Sequence, residues 1–222
     1  MDTEVEQFLK GIPQNGWILD IGGCWGWHWR KISNQRPDIT VVIVDLIREN
    51  LVHAQKILIE GISKERVFLV HGNACSLQFD AQTFDGVWSV QTTQHIPDYN
   101  TVCSEVYRVL KSKGVYWDYG LNNAAVIRII YKLFQKNYHI IGKVAGSYFL
   151  RRVNKEVLDC VEQAFNNDVD IRYTELLFTP DFKCYLGGTE NSILGRLDSY
   201  LSGKSILGKL TARQCSIHVK KE

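Results

Sequence analysis

The chain has 222 residues, 45% of them apolar and 23% charged, with a formal net charge of +2. That balance excludes fibrous, low-complexity and disordered chains and predicts one domain, residues 1–222, with its own buried core. It also argues against a dedicated nucleic-acid binder, which carries a strongly basic face, so no nucleic-acid partner is expected.

In chain order, the opening MDTEVEQFLKG is acidic and has no apolar centre, so it is not read as a signal peptide. Residues 17–21 (WILDI) form a short apolar run ended by glycines, the pattern of a buried strand. Residues 26–35 follow with helical character. TVVIVD (40–45) is a second strand, rich in β-branched residues. Residues 48–60 carry Leu51, Ala54, Ile57 and Leu58 at helical spacing. VFLVHG (67–72) and GVWSVQ (86–91) are strands three and four. Residues 98–112 place Val102, Val106, Val109 and Leu110 on one helix face, and GVYWDYG (114–120) is strand five. Beyond it, 121–150 mixes apolar and basic residues, 154–166 and 190–203 read as helices, and 170–178 and 212–221 alternate as strands. The longest apolar runs fall far short of the roughly 20 residues of a membrane span. The six cysteines (24, 75, 103, 160, 184, 215) form no CxxC pair and no tight Cys/His cluster. No metal site or disulfide framework is expected, and reduced thiols fit a cytoplasmic location.

Strands alternating with helices predict a parallel sheet covered on both faces, with ligands bound at the carboxyl ends of the strands where strand order reverses. Polar residues stand at those ends. Asp20 lies beside the glycine turn, Asp45 ends strand two, Asn73 follows strand three and Gln91 ends strand four. A carboxylate ending strand two can accept both hydroxyls of a ribose. A pyrophosphate cofactor favours GxGxxG and bare helix-terminal amides. The turn here is Asp-x-Gly-x-x-x-Gly, whose acid suits a cationic amino-acid cofactor.

The pieces ILDIGGCWG, VVIVD, HGNACSLQF, FDGVWSVQTTQHIPD and EVYRVLKSKGVYWDYG, in this order over residues 17–120, resemble a class I S-adenosylmethionine-dependent methyltransferase of the small-molecule type. The closing RLDSYLSGKSILGKLTARQCSIHVKK is similar to the family's last helix and reversed strand. The resemblance implies an α/β, Rossmann-like, seven-stranded and mostly parallel sheet with helices on both faces and an antiparallel last strand. It also implies S-adenosyl-L-methionine as cofactor, held by Asp20, Gly22, Gly23, Gly26, Asp45, Leu46, Asn73, Ala74 and Gln91. Cys24 occupies the family's middle glycine position, so its side chain must turn away from the ligand. The N-terminal arm is shorter than the family's usual lid, which leaves 121–153 as a helical cap insertion over the substrate.

Methyl transfer from a sulfonium is an in-line displacement in which the protein orients the nucleophile and excludes water. The reading is transfer to a small-molecule acceptor at a hydroxyl oxygen. A hydroxyl nucleophile gains from a base that titrates near neutrality, and His95 in QTTQHIPD is the catalytic candidate. Tyr119 and Trp25 are candidates for the acceptor pocket. The basic residues of the cap make it a candidate contact for a membrane surface or a lipid-linked substrate. The alternative is a non-catalytic binding or scaffold protein on the same fold. A nicotinamide-dependent reductase is disfavoured by the missing GxGxxG.

Overall fold

The structure, a computed structural model, describes residues 1–144, 148–167, 169–175 and 206–222, together with residues 196 and 200. The strands of the first half are β1 (Trp17–Ile21), β2 (Thr40–Asp45), β3 (Val67–His71), β4 (Phe84–Val90) and β5 (Leu110–Leu121). Among the described residues β6 (Ile141–Val144) and β7 (Tyr148–Arg151) pair only with each other. β8 (Asp170–Thr174) and β9 (Gln214–Lys220) complete the main sheet. Its order is β3-β2-β1-β4-β5-β9-β8. β1 to β5 run parallel, and β9 lies antiparallel between β5 and β8. This is the expected seven-stranded, mostly parallel sheet with its last strand reversed. Order reverses between β1 and β4, so the crevice opens where their carboxyl ends diverge.

The core explains the strand sequences. Every residue of β2 is buried, which requires an uninterrupted apolar run rather than alternation. One face is covered by α5 (Tyr99–Val109) and α7 (Lys155–Phe165), which bury Val102, Val106, Val161 and Phe165 against β4, β5 and β9. The other is covered by α1 (Asp2–Lys10) and α3 (Arg48–Ile57), which runs on into the short α4 (Ile59–Ser63), with Phe8, Trp29, Trp88 and Tyr119 at its centre. Asp98 and Asn154 cap α5 and α7 by accepting the backbone N–H of Thr101 and Val157. These bonds satisfy donors the helices cannot use themselves.

Three expectations change. The helix expected over 26–35 is a single 3-10 turn, Trp27–Trp29, and a four-residue α2 (Ile32–Gln35). Gly26 enters it left-handed at φ +69°, and Arg36, ahead of Pro37, leaves the helical region at φ −146° and ψ 76° and stops it. α1 lay in a stretch the sequence reading left without an element; Val5, Phe8 and Leu9 form its buried face. The cap is not wholly helical. α6 (Ala125–Leu133) is followed by the β6–β7 hairpin. The chain leaves and re-enters the fold at one point, where Val153 donates its N–H to the Leu121 carbonyl at 2.8 Å. The helix expected over 190–203 lies outside the described residues except at Arg196 and Tyr200, both helical, and the last residues of the strand expected over 170–178 also lie outside.

Candidate cofactor and acceptor site

The turn after β1 is built from its glycines outward. Gly22 sits at φ +67°, and a Cβ there would collide with Thr92, whose hydroxyl donates to the Gly22 carbonyl at 3.0 Å. That bond ties the end of β4 to the turn. A Cβ at Gly23 would collide with the carboxylate of Asp20. Cys24 is left-handed too, at φ +51°, with its thiol exposed. A non-glycine residue in that region costs about 1 kcal/mol. Its N–H donates to Asp45 Oδ2 at 3.0 Å, which repays part of that cost.

Asp20 is enclosed. It is 1% exposed and accepts the indole N–H of Trp29 at 2.7 Å. Burial pushes its pKa up to about 7, the Trp29 bond pulls it back, and the charge of Asp45 adds to the rise. The acid at the turn therefore supports the loop from beneath and holds Trp29 in the core. Asp45 is buried at the end of β2. Its Oδ1 accepts the Ile47 N–H at 2.8 Å and the Asn50 side chain at 3.2 Å. Leu46 and Ile47 beside it are exposed apolar residues, 67% and 53%. Asn73, exposed at the end of β3, accepts the Cys75 N–H at 2.9 Å and so shapes its own turn, while Ala74 is buried in the core.

At the ends of β4 and β5 a hydrogen-bond chain fixes a histidine. The Leu121 N–H donates to Gln94 Oε1 at 2.9 Å, so the Gln94 amide nitrogen is the atom 3.0 Å from His95 Nε2. That nitrogen can only donate, so His95 Nε2 is the acceptor. The proton sits on His95 Nδ1, which donates to the Phe149 carbonyl of β7 at 2.8 Å. The Tyr148 hydroxyl stands 2.9 Å from the same Nε2, where it competes with the Gln94 amide for the single lone pair, with the two rings 4.4 Å apart. His95 thus clasps the cap hairpin to the sheet. Gln94 and Tyr148 were not singled out by sequence. Adjacency to His95 marks Gln94, but nothing local marks Tyr148.

Gln91 ends this segment at φ +52°, its N–H donating to the Tyr119 carbonyl at 2.6 Å. Two expected pocket residues lie apart. Tyr119 is a core residue, fully buried between Trp88 and His218, with its hydroxyl donating to Glu4 of α1 at 2.8 Å. Trp25 is half exposed against His53 of α3. Asp118, by contrast, organises a buried cluster, accepting the hydroxyls of Thr93 at 2.7 Å and Tyr99 at 3.1 Å. Burial raises its pKa. A cavity of about 400 Å³ lies at the base of the cap, lined in part by Asn122, Val153, Leu158, Ile171, Tyr173 and Lys209. Among the described residues no group of side chains could hold a metal ion.

Strand order, the glycine turn at the switch point and an acid ending β2 resemble the arrangement of class I S-adenosylmethionine-dependent methyltransferase domains. The model of the family described as the methyltransferase domain matches residues 19–117, a little under half of the chain. The chain is 31% identical over 105 residues to 24-methylenesterol C-methyltransferase 2 of Arabidopsis thaliana, covering 46% of this chain and 28% of the relative. It is 27% identical over 139 residues to a ubiquinone/menaquinone biosynthesis C-methyltransferase of Rickettsia prowazekii, covering 60% of this chain and 56% of the relative. The chain thus spans little more than half, or less, of these relatives' lengths. In fold it is similar to a Thermotoga maritima structure described as a methyltransferase dependent on this cofactor and a possible histamine N-methyltransferase, with a TM-score of 0.67, 17% identity and coverage of 99% of this chain and 89% of that one.

The residues at the switch point fit the cofactor. The turn offers bare backbone at Gly22 and Gly26, the exposed Leu46 and Ile47 offer apolar surface for a purine, and Asp45 offers the ribose acceptor. A carboxylate has about four acceptor positions. Asp45 uses three on Cys24, Ile47 and Asn50, so one position is left for a first ribose hydroxyl and a second would compete with the Cys24 N–H.

Proposed function

We propose that the protein transfers a methyl group from S-adenosylmethionine to a small, largely apolar acceptor at a hydroxyl oxygen. When bound, the cofactor supplies a methyl on a cationic sulfur, an electrophile that needs no further activation. Asp45 accepts the ribose hydroxyls, with Leu46 and Ala74 beside the adenine and Asn73 at its amine. Gly22, Gly23 and Gly26 let the backbone approach, Gln91 meets the methionine portion, and Asp20 positions the turn from below. Relatives named for sterol methylation and for quinone biosynthesis support an apolar acceptor.

The observation that carries the acceptor chemistry is the tautomer of His95. Its basic nitrogen faces the Tyr148 hydroxyl, which is exposed on the hairpin. As the acceptor oxygen attacks, its proton passes to the Tyr148 oxygen and the Tyr148 proton to His95 Nε2. His95 would then carry the proton released by the acceptor, which balances the positive charge given up with the methyl. General-base assistance of this kind is worth about 10²-fold or more. With an identified acceptor, Tyr148→Phe and His95→Gln should each lower kcat by about that factor and leave the KM for the cofactor unchanged. Unchanged turnover in both would remove the relay.

A second reading is methylation at carbon, favoured by the names of the relatives. Transfer of a deuterated methyl followed by NMR of the product separates the two, since an ether methyl and a carbon-bound methyl resonate apart. Calorimetry addresses the non-catalytic alternative, because micromolar binding of S-adenosylmethionine is expected and its absence would leave only that reading.

A further inference from the structure

We propose that α6 and the helix Ile206–Thr211 together form a docking face for an anionic lipid surface. The inference is independent of the methyl-transfer reading. The two helices pack against each other. α6, AVIRIIYKL, buries Ile127 alone and leaves Ile129 58% and Leu133 75% exposed. The second helix, ILGKLT, buries only Gly208 and leaves Ile206 81% exposed, with Leu207 and Leu210 also at the surface. A helix on a water-facing surface turns its apolar stripe inward. Here two neighbouring helices turn theirs outward.

Charge selects the occupant. Residues 121–155 contain seven lysines and arginines and no Asp or Glu, and residues 201–221 contain five and again none. At least four of these cations serve the fold: Arg213 pairs with Glu175, Lys221 donates to the carbonyls of Tyr107 and Leu110, and the other two lie in the cap. Arg151 donates to the carbonyls of Ile96 and Pro97, and Arg152 to those of His139 and Asn122. Arg128, Lys132, Lys143 and Lys209 are exposed and make no ion pair among the described residues. Apolar side chains flanked by long cations match the boundary between acyl chains and anionic headgroups, where the stems of Lys and Arg lie along apolar surface and their heads reach phosphate. A nucleic acid would give the isoleucines and leucines no partner. A second copy of the chain would set like charges against each other. Among the described residues no helix is long and apolar enough to cross a membrane, so contact through this face would be interfacial.

The test uses the whole chain and sedimentation with phosphatidylcholine vesicles, with and without phosphatidylglycerol. Binding is expected only to the anionic vesicles and should weaken at high salt, as screening shortens the reach of the cations. The pair Leu133→Ser with Ile206→Ser, and separately the pair Lys132→Glu with Lys209→Glu, should each cut partitioning by about tenfold or more with unchanged melting. Absence of binding to the anionic vesicles overturns the proposal, and so does binding that neither pair alters. A dimer in light scattering that the serine pair dissociates would reassign the face to a second copy. Heparin binding lost in the glutamate pair but not in the serine pair, without vesicle binding, would make it a polyanion site.

Discussion

Two helices flank β5, and they are built to opposite rules. α5, before the strand, opens on the Asp98 cap and buries Tyr99, Val102, Cys103, Val106 and Val109. α6, after it, has no side-chain cap and buries Ile127 alone. The difference divides the molecule. Residues 17–120 owe their order to burial, so sequence periodicity reports their structure directly. The cap owes its order to a few anchors, namely the Val153 bond to Leu121, the two buried arginines on backbone carbonyls, and the His95 clasp. A region held by anchors can be moved or rebuilt without unfolding the sheet.

The contrast predicts a gradient of mutational cost. Its largest value falls at Trp88, fully buried at the meeting point of Phe8, Trp29, Trp117 and Tyr119. Trp88→Ala removes the hub of that cluster and should cost about 3–5 kcal/mol, read as a lowered midpoint in urea. A loss within about 0.5 kcal/mol would mean the α1 face is not a packed core, and the comparison with the cap would collapse. Gly22→Ala comes next. It forces a left-handed alanine and drives a methyl into Thr92, at a cost of about 2–3 kcal/mol. Cofactor affinity should fall with it, because Thr92 and the turn move together.

An effect visible only against pH belongs to Asp20. Its folded pKa is raised from 3.8 to about 7, so the folded protein holds this proton to higher pH than the unfolded chain does. Stability from this group is complete at low pH and is lost as pH rises from about 4 to about 7, then levels off. Asp20→Asn keeps an oxygen for the Trp29 indole and removes the titration. Relative to wild type, the variant should therefore gain stability between pH 4 and 7 and keep a constant difference above. A constant difference across the whole range would show that the carboxylate reaches solvent, contrary to its enclosure.

Legibility follows the same division. β1 and β2 are bounded in the structure as the sequence reading placed them, because each is an apolar run stopped by an acid or a glycine. The four polar strand ends were legible for the same reason. α1 was missed although Val5, Phe8, Leu9 and Ile12 recur at helical spacing, since its mean composition is polar. The hairpin was missed because four-residue strands carry too little alternation to oppose the helical bias around them. The environments of Asp20 and Tyr119 were hidden for a different reason. Position at a strand end fixes the residue but not the face, and both side chains take partners far along the chain, Trp29 and Glu4.

The smallest effect sharpens the comparison most. Leu133 ends α6 with 75% of its surface in water. Removing an exposed leucine deletes almost no buried contact, and serine costs a helix end only a few tenths of a kcal/mol in propensity. Leu133→Ser should therefore change stability by less than about 0.5 kcal/mol in urea unfolding, where a leucine in the sheet core would cost several times more. A cost above about 2 kcal/mol would mean that Leu133 is covered in solution and that the cap is a second packed core. A small cost leaves an exposed apolar side chain whose placement owes nothing to folding, and its role then has to be sought in what the face touches.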